Sequence, residues 1–215
     1  MEKIENLEKI GKENLKLAEN ERTLSKESKL VAKLELKRSK ARELLVKSEL
    51  ELTKIKKELA EKTKKVINKK YENVDLLKLS ENELKNEMEL ANYNIKVAMS
   101  QKSIAETQRK IAHIEREISE EKFKLGRDNS SLAKEREKLG KNQLSFVNIN
   151  KSKATPEKIS LSEQKYMKQE KELNKAKMDI VEREDKIKER EIQLANLKKE
   201  LSIKLDEREK IRPII

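Results

Sequence analysis

The sequence predicts an all-α protein made of two or three long, extended helices that form a coiled-coil rod. An apolar residue recurs at every seventh position through most of the 215 residues. Such a repeat keeps one side of an α-helix against a partner when the helices supercoil left-handed. Only 34% of residues are hydrophobic and 44% are charged, which is too little apolar material for a compact core of this length. With 3 Gly and 2 Pro, the chain has few helix breakers.

We call these repeated residues the apolar stripe, and they run in three registers. The first run, which Arg38 interrupts, is Ile10, Leu17, Leu24, Val31, Leu45, Leu52, Leu59 and Val66. The second run is Leu90, Val97, Ile104, Ile111, Ile118, Leu125, Leu132, Leu139 and Phe146. The third run is Ile159, Tyr166, Leu173, Ile180, Ile187, Leu194 and Leu201. We predict that the stripe mediates oligomerisation, with Ile104, Ile111, Ile118, Leu125 and Leu132 contributing most.

Two helical segments are predicted in the first two thirds of the chain. Residues 1–70 form a basic segment, with 21 Lys and Arg against 13 Asp and Glu, a net charge of +8. Residues 71–146 form a central segment. The stripe changes register between Val66 and Leu90, so either one helix continues through this stretch or a turn lies near Tyr71–Asp75.

A break is predicted at residues 147–158, because the stripe spacing fails between Phe146 and Ile159. A C-terminal helical segment then occupies residues 159–215. Its helix is expected to start with Thr155 as the N-cap and Pro156 at the first helical position. Pro213 is expected to end it.

The stripe lacks the second apolar row that a self-sufficient two-stranded coiled coil needs. The residues four positions after the second run are polar: Asn94, Gln101, Gln108, Glu115, Lys122, Asn129, Arg136 and Gln143. One interpretation is a marginal coiled coil or a nearly isolated charged helix. The other, which we favour, is a rod whose missing apolar surface comes from further copies or from a larger partner.

No catalytic, cofactor-binding or metal-binding residue is predicted, and we expect a protein that is not an enzyme and has no small-molecule substrate. The chain has no cysteine, and its single histidine, His113, has no second histidine to complete a metal site or catalytic triad. Gly140-Lys141 lacks the rest of a phosphate-binding loop. No stretch approaches the ~20 apolar residues of a membrane span, and no secretory signal is evident, so we expect a cytoplasmic protein.

Two functions fit these patterns. The first is a non-enzymatic scaffold that self-associates or lies along a larger assembly, such as a filament or cytoskeletal element. The alternative is a basic helical module that binds a membrane, nucleic acid or acidic protein through residues 33–70. The possible anion-binding residues are Lys54, Lys56, Lys57, Lys64, Lys65, Lys69 and Lys70.

Overall fold

Three long helices account for nearly all of the chain that the computed structural model describes, which is residues 2–72, 81–152 and 154–211. Helix α1 is Glu2–Glu72, helix α2 is Glu81–Lys151 and helix α3 is Pro156–Glu209. No strand occurs in these ranges, so the predicted all-α class is confirmed. Coiled-coil packing stays a prediction. The predicted choice between a continuous helix and a turn near residues 71–75 falls on residues 73–75, outside the described part.

The chain divides into two compact units, and each contains parts of all three helices. The first unit is Met1–Lys37 with Glu117–Arg190, and the second is Arg38–Arg116 with Glu191–Ile215. Arg38, the residue that interrupts the apolar stripe, is therefore the first residue of the second unit. In each unit α1 and α3 both contact α2 and run antiparallel to it, as the contacts described below indicate.

Small residues, also spaced by seven, form the contact between α1 and α2. Each of them directly follows a position of the apolar stripe, and we call them the small-residue rows. On α1 the row is Gly11, Ala18, Ser25 and Ala32 in the first unit, then Ser39, Val46, Thr53, Ala60 and Ile67 in the second. On α2 it is Ala91, Ala98, Ala105 and Ala112 in the second unit, then Ser119, Gly126, Ala133, Gly140 and Val147 in the first. All but Thr53 and Ala60 are buried.

Glycine allows the two backbones to touch in the first unit. A Cβ atom placed on Gly140 would lie 2.8 Å from the backbone oxygen of Gly11, and one on Gly126 would lie 2.6 Å from Cγ of Lys29. The turn-like composition around Gly126 therefore does not interrupt α2. The residue has no side chain because α1 occupies the space that one would need.

The apolar stripe of α2 is covered by α3 rather than by α1. Leu132 and Leu139 of α2 form a buried cluster with Leu173 of α3, and Tyr166 and Ile180 pack against it. The rings of Phe146 and Tyr166 lie 5.1 Å apart, centroid to centroid. Large side chains therefore hold α3 on α2, whereas small ones hold α1 on α2.

Residues 147–151, which the sequence analysis placed in the break, are helical in the structure. Val147 is completely buried at the last position of the small-residue row. Asn150 Nδ2 donates a hydrogen bond of 3.0 Å to the carbonyl oxygen of Phe146. Helix α3 begins at Pro156, where the carbonyl oxygen of Thr155 accepts the amide hydrogen of Ile159 at 3.1 Å, as expected of an N-cap residue.

We expect Gly140→Ala to lower the stability of the protein. In an open helix interior this change gains about 1 kcal/mol of helix propensity. Here the new methyl group meets backbone of α1, and overpacking of this kind costs about 1–3 kcal/mol. Urea unfolding followed by circular dichroism measures the difference. Gly11→Ala is the control, because its nearest contact would be the side chain of Leu144 at 3.1 Å. A Gly140→Ala protein more stable than wild type would contradict the close packing.

Two stripe residues of the second unit provide a matched pair of variants. Ile111 is 2% exposed and Leu45 is 60% exposed. We expect Ile111→Asp to destabilise the protein by about 4 kcal/mol or more, because it buries a carboxylate and loses apolar burial. Leu45→Asp should cost less than about 1 kcal/mol, close to the loss of helix propensity alone. Thermal melts at a concentration where the protein is monomeric would test this, and similar melting temperatures for both variants would refute it.

Candidate interaction surfaces

The stripe on α1 faces solvent in the first unit. Ile10, Leu17, Leu24 and Val31 are 40%, 46%, 64% and 55% exposed. Each directly precedes a buried small residue of the row that contacts α2. One residue corresponds to a rotation of about 100° on an α-helix, so the large side chains lie beside the contact and not within it. This half of the stripe is an apolar surface without a partner in the described chain.

In the second unit the stripe on α1 is equally open. Leu45, Leu52, Leu59 and Val66 are between 52% and 64% exposed. On α2 the stripe divides: Ile104, Ile111 and Ile118 are buried, Val97 is partly buried and Leu90 is 57% exposed. The predicted oligomerisation residues therefore fall into three groups. Those exposed are Leu45, Leu52, Leu59, Val66 and Leu90. Those buried by the chain's own packing are Ile104, Ile111, Ile118, Leu132, Leu139, Leu173 and Ile187, and those partly buried are Val97, Leu125, Ile180, Leu194 and Leu201.

The second row of the contact between α2 and α3 is polar and complementary in charge. In the first unit, Arg183 of α3 donates hydrogen bonds from its guanidinium to Glu121, at 2.7 Å, and to Asp128. Gln169 of α3 donates to the carboxylate of Glu135. Glu121, Asp128 and Glu135 are the residues three positions after the stripe. These three positions therefore hold pairs of polar side chains in place of a second apolar row.

The same kind of pairing occurs between α2 and α3 in the second unit. Lys204 Nζ donates to Thr107 Oγ1 at 2.7 Å, and Lys198 lies 3.8 Å from a carboxylate oxygen of Glu115. Thr107 is 1% exposed, and its hydroxyl also donates to the carbonyl oxygen of Ser103. The face of α3 that packs here therefore carries Lys198 and Lys204 together with Glu200, whose carboxylate accepts a hydrogen bond from Thr107 Oγ1 at 3.4 Å.

Ion pairs also border the contact between α1 and α2. In the first unit, Arg136 lies 2.9 Å from Glu21, and Asn14 donates an amide hydrogen bond of 2.9 Å to Gln143. In the second unit, Arg42 pairs with Glu115 at 2.7 Å. Partly exposed pairs of this kind contribute little stability each, about 0–1 kcal/mol. Their antiparallel order along the helices fixes which residues of α1 and α2 stand side by side.

Several carboxyl groups have lowered pKa values because cations surround them. At Glu121, burial raises the pKa, but hydrogen bonds from Lys124 and Arg183 outweigh that effect. The pKa therefore lies below its usual value. At the partly buried Glu8, hydrogen bonds from Lys12 and Lys151 lower the pKa to about 2. The hydrogen bond to Asp128 raises the pKa of Arg183. These groups stay charged at neutral pH and act as structural ion pairs.

The predicted anion-binding lysines differ in how far they are already paired. Lys54 lies 2.8 Å from Glu51, Lys57 lies 3.3 Å from Glu61, and Lys70 lies 3.5 Å from Glu87. Lys69 also has an interaction within the chain. Lys56, Lys64 and Lys65 have no ion pair with another described residue. The seven lysines thus do not form one uniform patch, and these three carry charge that a partner could neutralise.

His113 lies at the rim of an open groove of about 490 Å³ in the second unit. Its Nδ1 is 3.1 Å from the carboxylate of Glu43, which also pairs with Arg116 at 2.8 Å. The groove is lined by Glu43, Leu50, Lys54, Glu106, Arg109, Lys110 and His113. Besides His113, two acidic and three basic side chains line the groove, so it carries both signs of charge. The prediction that the protein is not an enzyme remains a prediction.

Searches for other kinds of site and for relatives gave no further assignment. Within residues 2–72, 81–152 and 154–211, no group of three or more His, Asp or Glu side chains could hold a metal ion. None of the helices over the same described ranges has a stretch apolar and long enough to cross a membrane. No protein-family model matches the chain, and no curated protein matches it either. The expected cytoplasmic location and the expected partners stay predictions.

The small-residue rows are the structural feature that the sequence analysis missed. The stripe is defined by its large apolar residues, whereas the residue that follows each of them is Ala, Gly or Ser at most positions. The signal is present in the sequence: Ala91, Ala98, Ala105 and Ala112 are four alanines at seven-residue spacing. Small residues in a heptad indicate that two helices approach closely, just as large ones indicate a wider contact.

We expect the contribution of Glu121 to stability to disappear at low pH. Because its folded-state pKa is lowered, its stabilisation is present above the unfolded value near 4.5 and is lost as the pH falls through the folded value. Glu121→Gln should therefore lower the melting temperature at pH 7 and match wild type near pH 2. Glu27→Gln is the control, because Glu27 is exposed and has no ion pair within the described chain. A deficit of Glu121→Gln that persisted at pH 2 would argue against the ion pairs.

Proposed function

We propose that this protein is a non-enzymatic helical scaffold that self-associates, or lies along a larger assembly, through the exposed stripe of α1. The observation that supports this proposal most directly is the exposure of a repeated row of large aliphatic residues on α1 in each unit. Scattered single apolar residues on a surface are ordinary, but a patch of them on one helix face is typical of an interaction site. The described helices leave the stripe residues on α1 between 40% and 64% exposed.

The energetics favour an extended contact over a single point of attachment. Full burial of an aliphatic side chain is worth about 1.5–3 kcal/mol. Roughly half of each α1 stripe residue is already covered, so each one offers about 1 kcal/mol. Association costs about 4–15 kcal/mol in lost freedom of motion. Several stripe residues must therefore be covered together, as in a side-by-side contact between helices, which suits a scaffold.

We expect the double variant Leu24→Glu, Val31→Glu to weaken self-association at least tenfold, because it places two charges in the apolar contact of the first unit. Sedimentation velocity over a concentration series would measure the dissociation constant. The matched control is Met178→Glu, Val181→Glu, which changes two residues of the same unit that are 72% and 56% exposed but lie outside the stripe. Circular dichroism would verify that all variants keep their helices.

Two results would contradict the scaffold proposal in its self-associating form. One is a wild-type protein that stays monomeric up to millimolar concentration. The other is an equal effect of the stripe variant and the control variant. A wild-type monomer that cosediments with a purified larger assembly, when the stripe variant does not, would instead support the second form, in which the protein lies along that assembly.

The alternative function, an anionic partner bound through residues 33–70, is supported by the three lysines without an ion pair in the described chain. These are Lys56, Lys64 and Lys65. The net charge of +8 over residues 1–70 would attract any acidic surface. Replacing the three lysines by Gln should weaken binding to such a partner and reduce its salt dependence.

A further inference from the structure

The stripe on α2 extends past the end of α3 in the second unit. Lys204 of α3 contacts Thr107, and α3 ends at Glu209, five residues later. Since the two helices are antiparallel, five residues later on α3 correspond to five residues earlier on α2, at Lys102. The stripe residues Val97 and Leu90 therefore lie beyond the last turn of α3, and Leu90 is 57% exposed as a result.

A groove of about 270 Å³ lies at this position, between α1 and α2 of the second unit. Leu59 and Val97 contribute its large apolar side chains, and alanines at three positions allow a close approach. The lining residues are Lys56, Leu59, Ala60, Thr63, Ala91, Asn94, Val97, Ala98 and Gln101. The groove continues the surface of α2 on which α3 packs, so its shape suits one more helix.

The charges of the groove differ from those under α3. Where α3 packs in the second unit, α2 offers Glu115 to the basic Lys198. The groove has no carboxylate among its lining residues and has Lys56 at its edge. A helix with a lysine beside its apolar row, placed as Lys198 is on α3, would bring like charges together here, which selects against it. A helix with carboxylates beside its apolar row would form an ion pair with Lys56.

We infer that this groove of the second unit binds one amphipathic helix of an acidic partner protein. The apolar row of that helix lies on Leu59 and Val97, and a flanking carboxylate pairs with Lys56. The inference goes beyond the scaffold proposal: it reserves Leu59 for this partner and leaves self-association to the stripe of the first unit, tested above at Leu24 and Val31. The two can therefore fail separately.

Two synthetic 21-residue helical peptides provide the test with the full-length protein. Both carry Leu at seven-residue spacing; one has Glu at the flanking positions and the other has Lys. Fluorescence anisotropy of labelled peptide should give at least tenfold tighter binding of the Glu peptide. Lys56→Glu should reverse that preference, and Leu59→Glu should weaken the Glu peptide at least tenfold. Lys40→Glu, an exposed lysine of α1 outside the groove, should change nothing.

Other occupants of the groove give different results, and each would overturn the inference. If a second copy of the chain fills the groove, Leu59→Glu dissociates the protein without peptide and the Glu peptide does not bind. If the site is a general polyanion site, duplex DNA displaces the Glu peptide and Lys40→Glu weakens it as much as Lys56→Glu does. Equal affinity for the Glu and Lys peptides would also exclude an acidic partner.

Discussion

The close approach of α1 and α2 is the constraint on which the other contacts depend. It requires residues without bulk at the points of closest approach, because backbone atoms of the two helices come within a side chain's length of each other. Gly11 and Gly140 make this approach in the first unit. Most of the large aliphatic residues of the repeat therefore occupy the neighbouring positions on the helix surface. That displacement produces an apolar stripe on each helix at the border of the contact.

The stripes of α1 and α2 differ in whether another helix covers them. On α2 the stripe is covered by α3, whose Leu173 and Ile187 are buried against it. The polar row beside that contact helps to set the register of α3 on α2, because acidic side chains of α2 face basic ones of α3. Such pairs add little stability individually but disfavour wrong registers. On α1 no described helix covers the stripe, and its residues keep about half of their surface in water.

The helical class and the start of α3 at Pro156 could be predicted, because helix breakers are rare and an N-cap signal is local. The roles of the stripe residues could not be predicted from spacing alone. Ile111 and Leu45 occupy equivalent positions in the repeat, yet one is buried and the other exposed. The difference depends on which helix packs on which: α3 covers the stripe of α2 and leaves the stripe of α1 exposed, although a row of mostly small residues follows both stripes. The residues of the polar second row could be read from the sequence, but their pairing could not, because the partners lie between 34 and 97 positions apart.

These contacts give the chain a small apolar core, and the association proposed above would bury what that core leaves exposed. A helix whose buried face is made of Ala, Gly and Ser gains little from apolar burial, since these side chains carry little area. The chain therefore obtains its specificity from close backbone packing and paired charges, and it leaves its largest aliphatic residues on α1 at the surface. Covering them needs a second helical surface with matching seven-residue spacing. A surface of that kind is available in another copy of α1, which presents the same row at the same spacing.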